Sequence, residues 1–126
     1  MALPAAPSVT YNAEGNLLAT TTSLAGGAST AAMADFSVNC LGGWLQVYGK
    51  GGTTVGATNG VQVQVFPRGS TTGNDTVAMW AYTFPLTANT VARESIFLPT
   101  GLYAVNLFNL DGTNAINVGL TANPVA

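Results

Sequence analysis

Hydrophobic and polar positions alternate most regularly along residues 102–110, as expected for a β-strand with one buried face. The dipeptide Asp111-Gly112, which follows, is typical of a tight hairpin turn. Folding the chain at this turn pairs apolar residues with one another: Leu107 with Ile116, Val105 with Val118, and Tyr103 with Leu120. A slip of one residue would place asparagine opposite valine, so we predict a hairpin of well-defined register.

Short stretches with strand-like patterns recur along the rest of the chain, separated by glycine, proline and asparagine. They cover residues 8–12, 17–23, 35–40, 44–48, 61–66, 76–84 and 91–98. The alanine-rich stretch 28–34 is the one place where a short helix is an alternative, although Gly26-Gly27 argues against a helix through its start.

About eight strands at roughly ten-residue spacing, with no helix long enough for a parallel crossover, predict an antiparallel β-sandwich. A jelly roll is the topology we expect for this all-β domain, spanning residues 8–126. Residues 1–7 contain Pro4 and Pro7 and are predicted to form an extended N-terminal arm. The predicted core packs the apolar face of the hairpin against five residues of two other strands: Leu45, Val47, Val61, Val63 and Val65.

Charged residues make up only 6% of the 126 residues, and the net charge is -2. The three cations, Lys50, Arg68 and Arg93, are too few for the basic surface that nucleic-acid binding requires. So low a charge is also unusual for a free monomer, because mixed surface charge opposes association. It therefore favours a protein that works within an assembly. No stretch is apolar enough to span a membrane.

Catalytic and metal-binding patterns are not evident in the sequence. There is no histidine, which removes the usual general base and the commonest metal ligand. The turns at 111–114 and 74–75 contain oxygen ligands suited to Ca²⁺, but aspartate and asparagine also stabilise turns by bonding the nearby backbone. The single cysteine, Cys40, is interpreted as a small buried hydrophobe. We expect no enzymatic activity, no cofactor and no metal.

Aromatic side chains occupy a second face on two predicted strands. Trp44 and Tyr48 lie opposite the core face of 44–48, and Trp80, Tyr82 and Phe84 share one face of 76–84. A sandwich needs only one apolar face in each sheet, so a second apolar face must be covered by something other than the opposite sheet. We predict an interface between subunits formed by these residues, with Leu3 of the arm as an additional apolar anchor: Leu3, Trp44, Tyr48, Trp80, Tyr82 and Phe84.

The alanine-, threonine-, glycine- and asparagine-rich composition, the arm at 1–7, the short strands and the stretch 98–103 resemble small all-β accessory proteins of tailed phages. The nearest type is the head decoration or cement protein. This resemblance implies a bacteriophage structural protein, a homotrimer that braces the shell by binding the major capsid protein or another virion protein. Its location would be the virion, after synthesis in the host cytoplasm. Residues 1–7 lack the features of a secretory signal, which favours this interpretation. The alternative is a carbohydrate- or receptor-binding β-sandwich module.

Overall fold

The computed structural model describes residues 17–37, 40–52, 60–67 and 77–125, and these form eight β-strands and no helix. In chain order they are β1 (Leu18–Leu24), β2 (Ser29–Phe36), β3 (Gly42–Gly51), β4 (Val61–Pro67), β5 (Trp80–Phe84), β6 (Val91–Pro99), β7 (Gly101–Asn109) and β8 (Ile116–Pro124). Within the described ranges, no helix exists that is long and apolar enough to cross a membrane.

The strands form two four-stranded antiparallel sheets with the orders β1-β8-β3-β6 and β2-β7-β4-β5. Of the connections between successive strands, only the one from β4 to β5 stays within a sheet. Every other connection crosses from one sheet to the other. Eight strands wound in this way form a jelly roll, which confirms the predicted fold.

The core lies between the two sheets and consists of the apolar residues that alternate along their strands. All eleven residues predicted for it are at most 4% exposed: Leu45, Val47, Val61, Val63, Val65, Tyr103, Val105, Leu107, Ile116, Val118 and Leu120. Phe36 and Leu98 add large buried side chains from β2 and β6. Period-two alternation therefore identified the inward faces of β3, β4, β7 and β8 correctly.

The predicted hairpin at Asp111-Gly112 is wrong. β7 pairs with β2 and β4, whereas β8 pairs with β1 and β3, so the two strands lie in different sheets. The Asp111 carboxylate accepts hydrogen bonds from the backbone N–H groups of Thr113 and Asn114, at 2.8 and 2.9 Å. These bonds shape a wider connection that carries the chain across the sandwich.

Two further sequence predictions can be compared with the strands. Residues 29–34 belong to β2, so the helical alternative for 28–34 is wrong. Of the strand predicted over 76–84, β5 covers Trp80–Phe84, and it lies at a sheet edge with Ala81 and Thr83 exposed. The arm at 1–7 and the strand predicted at 8–12 lie outside the described residues.

Candidate functional site

The outer surface of the β1-β8-β3-β6 sheet carries a regular grid of side chains where β3 pairs with β6. Leu45 and Val47 of β3 are fully buried, so the residues between them point outwards. We call this surface the β3–β6 outer face. It is defined by four cross-strand pairs: Trp44 with Phe97, Gln46 with Ser95, Tyr48 with Arg93, and Lys50 with Val91.

An exposed aromatic pair occupies one end of the β3–β6 outer face. The rings of Trp44 and Phe97 meet edge to face, with centroids 5.4 Å apart and planes 71° apart. Trp44 is 49% exposed and Phe97 is 42% exposed. Gly42 supports the pair, because a Cβ at this position would lie 3.0 Å from Phe97 Cζ, and its φ of +121° is one that other residues rarely adopt. The pair is thus held in place by its neighbours and open to solvent.

Polar side chains surround the aromatic pair. Asn123 of β8 lies beside Trp44 on the side away from β6. Gln46 and Ser95 form the next cross-strand pair. Carboxamide and hydroxyl groups can each donate and accept hydrogen bonds, so a ligand with many hydroxyl groups would find both kinds of partner here.

A cation stacked on an aromatic ring occupies the other end of the face. The Arg93 guanidinium carbon lies 5.4 Å from the centroid of the Tyr48 ring, within the range of a cation–π interaction. Tyr48 is half-buried, whereas Arg93 is exposed.

The predicted interface residues do not lie on one surface. Trp44 and Tyr48 share the β3–β6 outer face, as expected. Trp80, Tyr82 and Phe84 pair with the core residues of β4, so they point inwards rather than outwards. The prediction that they form a second, outer face is wrong, and so is an interface role for Phe84, which is 3% exposed.

Those three β5 rings stack along the edge of the sandwich instead. Ring centroids lie 6.0 Å apart for Trp80 and Tyr82, and 6.2 Å apart for Tyr82 and Phe84. Trp80 packs against the core, while Tyr82 remains 41% exposed. The stack closes one side of the core. Leu3 lies outside the described residues.

The acidic side chains that the structure describes do not form a catalytic or metal-binding group. Asp35 lies on the outer side of β2, and Glu94 on the inward side of β6 opposite Val47. The backbone N–H groups of Asn114 and Thr113 lower the pKa of the third, Asp111, which shapes its own turn. Among the described residues, no three potential metal ligands lie together. The turn at 74–75 is outside them. Cys40 is half-buried, and its thiol donates to the carbonyl of Phe36 at 3.1 Å.

Sequence reasoning missed Phe97 as a partner of Trp44. The outward direction of Phe97 follows from alternation along 91–98. Leu98 is buried, so Phe97 beside it must face away from the core. The pairing of β3 with β6 does not follow from the sequence, since 39 residues (52–90) lie between the end of β3 and the start of β6, and no local pattern links the two strands. Only the tertiary structure therefore brings the two rings together.

Comparison with known proteins finds similarity of structure only. No protein-family model matches the sequence, and no curated protein matches it. Part of tripeptidyl peptidase 2 superposes with a TM-score of 0.54 at 4% identity, covering 82% of this chain and 9% of that one. A family 16 carbohydrate-binding module has a TM-score of 0.45 at 19% identity, covering 82% of this chain and 74% of that one.

The C-terminal family 6 carbohydrate-binding module of LamC from Zobellia galactanivorans has a TM-score of 0.42 at 15% identity. The superposition covers 78% of this chain and 75% of that module. The structures named here are not phage decoration proteins. At such low identity these similarities concern the fold alone.

Proposed function

We propose that this domain binds carbohydrate, without catalysis, on the β3–β6 outer face. The observation that carries the proposal is the half-exposed pair of Trp44 and Phe97 on a rigid sheet surface. The C–H groups of a sugar ring pack against aromatic rings and displace water from both surfaces. Two such rings held edge to face give a preformed contact that loses little side-chain entropy on binding.

Specificity for sugars over apolar ligands would come from the polar neighbours of the pair. Asn123, Gln46 and Ser95 provide carboxamide and hydroxyl groups on both sides of Trp44. A sugar has hydroxyl groups around the edge of its ring, and each needs a partner once water is displaced. The β3–β6 outer face thus offers aromatic rings for the C–H groups of a sugar and polar side chains for its hydroxyl groups.

The test is a titration with oligosaccharides followed by calorimetry and by tryptophan fluorescence. The chain has two tryptophans, so Trp80→Phe leaves Trp44 as the only reporter. We expect a saturable fluorescence change in this variant. Trp44→Ala should weaken binding at least tenfold, which corresponds to about 1.4 kcal/mol.

Tyr82→Ala is the matched control for Trp44→Ala, because Tyr82 is an aromatic residue of similar exposure on the opposite sheet. It should bind as tightly as the unmodified domain. The proposal fails if no oligosaccharide binds at millimolar concentration, or if Trp44→Ala binds as well as the unmodified domain.

We propose a second candidate function from the sequence resemblance: a phage capsid decoration protein that acts as a homotrimer in the virion. The observation that favours it is the edge strand β5 and the segment before it. Val77, Met79 and Tyr82 are 71%, 48% and 41% exposed there. Exposed apolar side chains on and beside an edge strand are typical of protein interfaces.

Light scattering of the purified protein tests this second candidate. A trimer that dissociates when Tyr82 is replaced by lysine would support it, because the new charge would be buried in the interface. A monomer at all concentrations, with no affinity for phage particles, would exclude it. Neither result depends on Trp44, so the two candidates can be distinguished.

A further inference from the structure

The positive charge of the described residues is concentrated on the β3–β6 outer face. Lys50 and Arg93 are the two cations within the described ranges, and both lie on this surface. The three described acids lie elsewhere: on the outer side of the opposite sheet, on the inward side of β6, and in the connection after β7. Among the described residues, the β3–β6 outer face therefore carries both cations and no acid.

The aromatic and cationic ends of the face are separated along the strands by a fixed distance. Trp44 and Tyr48 are four residues apart on β3, which corresponds to about 13 Å at roughly 3.3 Å per residue. Gln46 and Ser95 fill the interval. A ligand that contacts Trp44 and Arg93 together must therefore extend along the strand direction, as an oligosaccharide does and a monosaccharide does not.

The position of Arg93 suits it to an anionic group. Its guanidinium carbon lies over the Tyr48 ring, and the side chain is exposed, so a ligand on this face can reach it from solvent. A planar guanidinium binds carboxylate or sulfate oxygens through two parallel hydrogen bonds. Lys50, on the next outward position of β3, adds a second positive charge at the same end.

We infer that the ligand of this face is an acidic oligosaccharide, with one sugar ring on Trp44 and Phe97 and an anionic group of a later sugar on Arg93. This inference rests on the proposed carbohydrate binding and names the class of sugar. The charge complementarity of the face selects an anionic chain over a neutral one of the same length.

The experiment compares a tetrasaccharide of galacturonic acid with its methyl ester, which has the same sugars without the charges. A sulfated tetrasaccharide distinguishes sulfate from carboxylate as the source of the charge. We expect the acid to bind at least tenfold more tightly than the ester by calorimetry. Raising the salt concentration should reduce this preference, because screening weakens exposed charge pairs.

Arg93→Gln should remove most of the preference for the acid, and the remaining charge of Lys50 should keep the rest, with the affinity of each variant for the ester as its reference. Arg93→Lys keeps the charge but loses the paired hydrogen bonds, so it should keep part of the preference. The matched control is Gln62→Glu, which changes the net charge by the same amount on the outer side of the opposite sheet. It should bind both ligands as the unmodified domain does.

The outcomes separate this inference from the proposal beneath it. If acid and ester bind equally and both depend on Trp44, carbohydrate binding stands and the inference is overturned. If Gln62→Glu reduces the preference as much as Arg93→Gln, net charge rather than Arg93 is responsible, and the inference is again overturned. If neither acidic nor neutral oligosaccharides bind, the proposed function itself fails.

Discussion

Replacing Asn109 with alanine should destabilise the domain more than any exposed polar substitution, because this side chain joins three segments at one end of the core. Asn109 is the last residue of β7 and is 2% exposed. Its Nδ2 donates to the carbonyls of Leu24 and Ala25, each at 3.2 Å, and to that of Asn114 at 2.7 Å. Its Oδ1 accepts from the N–H of Asp111 at 3.0 Å.

The size of the effect follows from which of these bonds water can replace. The bonds to the Leu24 carbonyl and the Asp111 N–H are buried, whereas the other two are half-buried and open to water. A buried group left without a partner costs about 1–3 kcal/mol. Two such groups give a loss of roughly 3 kcal/mol in the free energy of unfolding. For a domain of this size, the melting temperature should fall by about 10 °C.

Urea unfolding followed by tryptophan fluorescence, together with thermal melts followed by circular dichroism, measures this loss. Asn106→Ala is the matched control, since Asn106 lies on the same strand but faces outwards and is half-buried. It should cost less than about 1 kcal/mol. The reasoning is refuted if Asn109→Ala costs less than about 0.5 kcal/mol, or if the two variants lose equal stability.

Three further predictions concern the turn, the core and the connection between β6 and β7. Two backbone N–H groups lower the pKa of the Asp111 carboxyl, so its contribution to stability is complete above the ordinary aspartate pKa of about 3.9 and is lost as the pH falls through the lower folded value. Asp111→Asn should therefore flatten the dependence of the melting temperature on pH below about pH 4. Gly43→Ala would place a methyl group too close to the Phe36 ring and should cost about 2 kcal/mol in urea unfolding. Gly112→Ala, with nothing within 4 Å, should leave stability nearly unchanged. Tyr103→Phe removes a hydrogen bond of 2.6 Å to the Pro99 carbonyl and should lower the free energy of unfolding by about 1 kcal/mol, measured in the same way.

The sequence by itself determined which side of β3, β4, β7 and β8 faces the core. Val61, Val63 and Val65 alternate with glutamines, and Tyr103, Val105 and Leu107 alternate with smaller or polar residues. All six are buried. Alternation identifies the inward residues because successive side chains on a strand point to opposite faces, whichever strands lie beside it. The frequent turn residues likewise predicted a two-sheet, all-β domain.

Only the tertiary structure decided which strands are neighbours. An apolar face packs equally well within a hairpin or across a sandwich, so the pattern around Asp111-Gly112 could not distinguish the two. The buried amide of Asn109, bonded to carbonyls 84 and 85 residues earlier in the chain, stabilises the crossing to the other sheet instead.

The same limit applies to the candidate site. Trp44 was singled out from its own strand, but Phe97 and Arg93 join it only because β6 lies beside β3. Phe84 was assigned to the site from its own strand, but the tertiary structure removes it. It shares a face with Trp80 and Tyr82, yet it is buried beside Val61 at the edge of the core. Strand pairing depends on contacts between residues far apart in the chain, and no local pattern of hydrophobic and polar positions specifies it.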